Sequence, residues 1–502
     1  MRRAKWGFLS VSLAMVIALG ACDWIPFAFF NSIPIRGDPT RNPEVRVYLG
    51  IDGLSYHTVQ DAIARGAFSG TSWKLAKSVA PFPVTSDANW TKILRTPALD
   101  GYELEYFDPI ADKIQHPGLL GLARHVMPVV SESLNLSAPC QSAFDYRANG
   151  YFHGFSAYSD VFSSLGESLD NLFFTLEGRS ETASVFTAYL LEFDVLGHMQ
   201  KRVDVADALV MLSKKIDRFI QRHPERKFYF TLFSDHGMDF MPAPVENLVV
   251  MEDELPKVGV TSVRSLAGRD PSQGPYAVPL MHTRVSYISL HTHAALVSEV
   301  SIRASQIPSV DVVVGKLDAP VVDPGAPRPL EWFGLWSGGS LALYFGYDQQ
   351  TDEYYLPSGY DYSRFGISLS FSGGEVFRVI EDEALFSLVK ETRYPDLFYR
   401  VRSGLSAHGV RFPGQVLVSF KANYVSKGFS LPGSDKIANE GFHGSLSEFG
   451  TLGTLLTNER ELPSVVRAES LLDFFPRLKT HLSSSRKIAI QDFDSKLSLN
   501  YQ

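Results

Sequence analysis

The sequence predicts an α/β fold, with a central, largely parallel sheet flanked by helices and an inserted β-rich region. Three observations carry this reading. Short apolar runs end at acidic residues: "VRVYLGID" at Asp52, "VFTAYLLEFD" at Asp194 and "KFYFTLFSD" at Asp235. Continuous apolar runs of this length suit strands covered on both faces. Between the last two lies "VDVADALVMLSKKIDRFIQRH", where Val203, Ala206, Leu209, Val210, Ile216, Phe219 and Ile220 make one apolar face at helical spacing. The texture then changes over residues 251–425, where "RVSYISLHTHAALV", "SLALYFGYD" and "EYYLPSGYDY" sit among many Gly, Pro and Tyr. Such a stretch reads as an insertion or cap built partly from antiparallel strands.

In chain order, residues 1–21 read as a lipoprotein signal peptide. "MRRAK" is basic, "WGFLSVSLAMVIAL" is apolar but short for a membrane span, and "LGAC" places small residues before Cys22. The expectation is lipidation at Cys22 and export, with anchoring to a bacterial membrane on its periplasmic or cell-surface side. Residues 22–44 hold four prolines and no periodicity, and read as a tether. The core's first part spans 45–250. Residues 426–480 return to it, loop-like at first, then helical in "SVVRAESLLDFFPRL", and 481–502 form a tail.

Composition narrows the function. The chain has 502 residues, 45% hydrophobic, which suffices for a large core. Its net charge is −8 and no Lys/Arg block follows the first residues, which excludes nucleic-acid binding by a basic surface. With Cys22 acylated, Cys140 is the other of two cysteines, so no intrachain disulfide forms.

Four separated stretches carry metal-capable residues at the ends of elements: "GIDGLS" (Asp52), "FDVLGHM" (Asp194, His198), "SDHGM" (Asp235, His236) and "GFHGSL" (His443). Each alone is weak, since Asp-Gly after a strand is usually a turn and a lone His is usually a satisfied side chain. Together they supply three carboxylates and three imidazoles, a mixed O/N set that suits Zn²⁺. The chemistry that needs such a set is hydrolysis at a pair of divalent ions roughly 4 Å apart. A nucleophile candidate lies in "APFPVTSDANWTKILRT", where Thr85 and Ser86 open a helix-like segment. A hydroxyl there is also the usual N-cap. A helix N-terminus also suits a phosphate.

Taken in order, "GIDGL", "FPVTSDANWT", "FDVLGHM", "SDHGM" and "GFHGS" resemble the alkaline phosphatase superfamily, particularly its type I phosphodiesterase / nucleotide pyrophosphatase branch. The resemblance spans residues 45–450. It implies an alkaline-phosphatase-like sandwich with Asp194, His198 and His443 on one metal. It implies Asp52, the nucleophile, Asp235 and His236 on the other. The family's nucleophile pattern reads Thr, any residue, Pro, Asn, then an aromatic or His. Here Ala88 replaces the Pro, and matching on Asn89 selects Ser86, with Thr85 the alternative. Asn89 either orients this loop or touches phosphate. The implied substrate is a small phosphorylated molecule (a nucleotide, a lipid head group or similar). A phosphomonoesterase or phosphoethanolamine-type transferase shares the scaffold, and a catalytically silent envelope binding protein is the reading from another class. The His291–His293 pair and the tyrosine-rich 344–362 stretch are read as strand and hairpin packing. Cys140 lacks the Cys-x-Pro-x-Arg setting of sulfatases.

Overall fold

The computed structural model describes residues 44–484, apart from 71, 104, 117–139, 141–142, 148–159, 181–182, 242–243, 283–284, 318–329 and 428–439. The signal segment, Cys22, the tether up to residue 43 and the tail beyond 484 lie outside the described residues. No helix among the described residues is long and apolar enough to cross a membrane.

The central sheet has seven strands in the order Val465–Arg467, Lys74–Val79, Leu452–Thr457, Lys227–Phe233, Glu44–Ile51, Val185–Leu190 and Tyr146–Arg147. All run in one direction except Leu452–Thr457, which is antiparallel to both neighbours. Side-chain alternation explains why the apolar runs looked continuous. Val45, Val47, Leu49 and Ile51 pack on one face, under the helices Val161–Ser180 and Arg202–Arg222. Tyr48, from the same strand, packs on the other face with Trp90, Phe233 and the C-terminal Leu471, Phe475 and Leu478. A strand buried on both faces has no polar side to show.

The β-rich region forms a second sheet of nine strands spanning Thr261–Ser262 to Val416–Phe420. It is antiparallel throughout except where Thr261–Ser262 pairs with Tyr276–Met281. This sheet too is covered twice. Val312, Val314 and Leu417 face the helices Asp382–Val389 and Leu397–Leu405, whereas Val310, Val313 and Val418 face Met251–Lys257 and Val297–Ala304. Phe82 and Ala88, which flank the candidate nucleophile, pack into the first of these clusters.

Three details depart from the sequence reading. Asp194 does not end a strand: the strand stops at Leu190, and Asp194 lies in the first turn of the short helix Glu192–Met199, so that His198 follows one turn later on the same face. Val465–Arg467, read as helical, is an edge strand paired with Lys77–Val79. The strands Lys74–Val79 and Leu452–Thr457 were not foreseen. The first carries two lysines, and the second is buried at every position although it contains Gly453, Thr454 and Thr457. Thr457 is tolerated there because its hydroxyl finds a partner, 2.7 Å away on Thr231; the Thr454 hydroxyl is buried without one, while its N–H donates to Ser234 Oγ.

The second sheet also holds two buried imidazoles. Burial pushes His282 down to about 3, helped by the nearby His291, and pushes His291 down to about 4 against a bond from Gln415. Both are neutral when folded, whereas the unfolded chain takes up protons below its ordinary His pKa, near 6.5. Their contribution is therefore fully present above about 6.5 and is lost as pH falls toward 4. The denaturant midpoint should fall between pH 7 and 4.5, and less steeply in a His282→Asn/His291→Gln double variant. Equal slopes in the two proteins would rule the imidazoles out as the cause.

Candidate metal centre and nucleophile

The strand ends, the short Glu192–Met199 helix and the loop before Glu448 bring all six sequence-predicted ligands together. Asp52, Asp235 and His236 are fully buried, and Asp194, His198 and His443 are nearly so. Two trios are tightest. Asp52, Asp235 and His236 offer ligand atoms all within 4.8 Å of one another, and so do Asp194, His236 and His443. His236 thus serves both. His198 stands beside the second trio, with Nε2 3.5 Å from Asp194 Oδ2 and its ring centroid 5.3 Å from that of His443.

The three imidazoles share one device. Nδ1 of His198 lies 2.9 Å from the Gly441 carbonyl, Nδ1 of His236 2.8 Å from that of Gly237, and Nδ1 of His443 2.8 Å from that of Val84. A carbonyl only accepts, so each Nδ1 carries the proton and each Nε2 is turned inward. Nε2 of His236 then sits 3.3 Å from Asp52 Oδ1 and 3.4 Å from Asp235 Oδ2. Ring nitrogens anchored in this way are what metal-binding imidazoles require.

Close backbone approach makes this density possible. Gly53 has φ +66°, donates its N–H to Asp235 Oδ1 at 3.2 Å, and would place a Cβ 2.7 Å from Asp194 Oδ1. A Cβ on Gly237 would lie 2.4 Å from the Leu452 carbonyl oxygen. Any side chain at either position would push the ligand loops apart.

The electrostatics ask for positive charge. Burial raises Asp235 well above the usual carboxylate range, with Asp52 adding to the effect, and burial also raises Asp194. Asp52 is opposed by burial yet held low by its bond to His236. His236, disfavoured by burial, is nevertheless pushed up to about 10 by Asp235 and Asp52. Burial pushes His443 far down, and His236 and His198 push it further. Three buried carboxylates cannot all ionise beside one another without a cation. Asp194 Oδ1 and Asp235 Oδ2 are buried and accept no hydrogen bond. Two orphaned carboxylate oxygens, one facing His443 Nε2 at 3.9 Å and the other His236 Nε2 at 3.4 Å, with His198 Nε2 beside Asp194 Oδ2, fit a divalent metal.

The nucleophile candidates separate cleanly. Ser86 opens the helix Ser86–Ile93, and its Oγ donates to Asp52 Oδ1 at 3.1 Å and lies 3.3 Å from His236 Nε2. Thr85 is the N-cap residue, but its Oγ1 turns away and donates to the Tyr102 carbonyl at 3.1 Å. Asn89 is buried one turn on, and its Nδ2 donates to the Asp235 carbonyl at 3.2 Å, tying the helix to the ligand loop. Of the other histidines considered, His291 packs on Phe107 and His293 on Tyr276. Neither belongs to a metal-capable group among the described residues. Sequence reasoning missed Tyr189, whose hydroxyl donates to Asp52 Oδ2.

The profile of the type I phosphodiesterase / nucleotide pyrophosphatase family matches residues 73–309. That segment holds Ser86, Asp194, His198, Asp235 and His236; Asp52 precedes it and His443 follows it. No curated protein matches the chain. Among solved structures, human ectonucleotide pyrophosphatase / phosphodiesterase 5 aligns over 87% of this chain and 95% of its own, at 9% identity and TM-score 0.45. The murine protein aligns over the same shares at 10% identity and TM-score 0.42, and an inactive murine variant in complex with AMP at 10% and 0.43. At these values the structural likenesses carry no weight; the family rests on the profile match. Residues 73–309 match the type I phosphodiesterase / nucleotide pyrophosphatase family, and this match places the chain among the phosphoric ester hydrolases of the alkaline phosphatase superfamily.

Proposed function

We propose that the protein hydrolyses a phosphodiester or pyrophosphate bond of a small, nucleotide-like substrate by way of a phosphoserine on Ser86. The observation that carries this is the place of Ser86 Oγ, between Asp52 Oδ1 and His236 Nε2 at the start of a helix. Asp52, Asp235 and His236 would hold one divalent ion and Asp194, His198 and His443 a second, with His236 close enough to support both positions and Zn²⁺ favoured by the mixed carboxylate and imidazole donors. When bound, these ions supply the positive charge that favours the Ser86 alkoxide and the charge on the departing oxygen.

The chain's own residues then do the following. Asp52 accepts the hydrogen bond of the Ser86 hydroxyl and fixes its rotamer. The Ser86 hydroxyl gives its proton to solvent and Oγ attacks phosphorus; a bond forms from Oγ to phosphorus as the bond to the leaving oxygen breaks, and the leaving group takes up a proton from water. The helix that begins at Ser86 turns the positive end of its dipole toward the phosphoryl group. Water next attacks the phosphoserine, and Oγ leaves as the hydroxyl. Asn89 holds the Asp235 loop against this helix and so keeps nucleophile and ligands in register.

Two chromogenic substrates test the substrate class. With Zn²⁺-loaded protein, kcat/KM for bis(4-nitrophenyl) phosphate should exceed that for 4-nitrophenyl phosphate by about tenfold or more, roughly 1.4 kcal/mol of transition-state preference. The opposite order would replace the diester reading with a monoesterase.

The "LGAC" stretch supports a second proposal, that Cys22 carries lipid and holds the exported protein at a membrane. Cys22→Ser should move the protein from the membrane pellet to the soluble fraction. A processed Cys22→Ser protein that still sediments with membranes would point to another anchor.

A further inference from the structure

We propose that Tyr189 is a positioning residue for Asp52: its hydroxyl occupies Oδ2, so that Asp52 meets a cation through Oδ1 alone. This rests on the reading of Asp52 as a metal ligand. The two oxygens of Asp52 have different surroundings. Oδ1 faces the site, 3.1 Å from Ser86 Oγ and 3.3 Å from His236 Nε2, while Oδ2 receives the Tyr189 hydroxyl. A carboxylate with one oxygen held by a phenol donor binds a cation through the other, and its plane is fixed before the cation arrives.

The fold delivers that hydroxyl with little freedom. Tyr189 lies on Val185–Leu190, beside and parallel to Glu44–Ile51, in register with Gly50. The same strand holds the Asp52 backbone, because Asp52 N–H donates to the Leu190 carbonyl at 3.1 Å. One strand therefore grips Asp52 at both its main chain and its carboxylate. The tyrosine ring is wedged edge-on against Trp90 at 5.7 Å between centroids, and lies tilted by 31° against Phe144 at 5.3 Å. Gly50 leaves room for this wedge: a Cβ there would lie 2.8 Å from the Phe144 ring and 3.0 Å from Trp90. Trp90 is itself on the nucleophile helix, so the aromatic wedge also joins Asp52's orientation to the placement of Ser86.

The test is Tyr189→Phe, which keeps the ring and deletes only the donor. The full chain, stripped by chelation, is titrated with Zn²⁺ alone in competition with a chromogenic chelator. The variant should bind its weakest-held ion about 10- to 100-fold less tightly than wild type, the range seen when a ligand loses its hydrogen-bonded support. Its melting temperature without metal should fall only modestly, as expected when a buried oxygen loses its donor, and at saturating Zn²⁺ its KM for bis(4-nitrophenyl) phosphate should be unchanged. Zn²⁺ affinity within twofold of wild type would overturn the proposal. So would unchanged affinity with a raised KM, which would place Tyr189 against the substrate instead. Wild-type protein that takes up no Zn²⁺ would overturn the metal-centre reading itself, a result distinct from a variant that binds as well as wild type.

Discussion

Ser86→Ala is expected to lower turnover by on the order of 10³-fold or more while bound metal is retained. Removing a covalent nucleophile leaves only the residual rate that water and the remaining site can support. The side chain is small and only partly buried, so the fold should not suffer. Thr85→Ala is the matched control. Its Oγ1 bonds to the Tyr102 carbonyl and faces away from the ligands. Losing that buried bond should cost about 1 kcal/mol of stability and leave turnover within a few-fold of wild type. Phosphate trapped by acid quench during turnover should map to Ser86. Full turnover in Ser86→Ala with a dead Thr85→Ala would shift the nucleophile by one residue, and would require the Ser86–Ile93 helix to begin in a different rotational setting.

His236→Ala should be the most damaging single change among the six ligands. His236 belongs to both tight trios, so its loss weakens both ion positions at once, whereas His198 stands beside one trio. It also leaves Asp52 and Asp235 buried together without the imidazole that now faces both. Removing one partner from a buried charged group typically costs about 3–5 kcal/mol. The expected result is a lowered melting temperature and less than half the metal of wild type by elemental analysis, with turnover near background. His198→Ala should retain more metal than His236→Ala. If the two variants kept equal metal, His236 would support the Asp52–Asp235 ion alone, with no influence on the position beside Asp194 and His443.

Much of this site was legible because its residues stand in short stretches whose local chemistry is distinctive. "SDHGM" joins a carboxylate and an imidazole beside a glycine at a strand end, and Asn89 sets the spacing that selects Ser86. The parallel strands were legible for a similar reason: a run buried on both faces must be apolar at every position, and such runs are rare outside strands and core helices. Lys74–Val79 was hidden because its lysines reach outward, one over the Tyr56 ring at 5.7 Å and one to Glu461 at 2.8 Å. Leu452–Thr457 was hidden because threonine and glycine in a buried strand look like a loop until their cross-strand partners are known.

By itself, then, the sequence determined the inventory: an α/β chain that carries three Asp, three His and a hydroxyl in the order of one hydrolase family. Only the tertiary structure decided how those groups meet. Ser86 rather than Thr85 points at the ligands because the helix begins at Ser86 and the Tyr102 carbonyl takes the threonine hydroxyl. His236 stands between the two trios, and Tyr189 holds Asp52 from 137 positions away in the chain. The physical reason is that residue type and spacing encode local geometry. Which Nε2 faces which carboxylate depends on strand order, on the Nδ1 carbonyl that each ring finds, and on how closely glycines such as Gly53 let the loops approach.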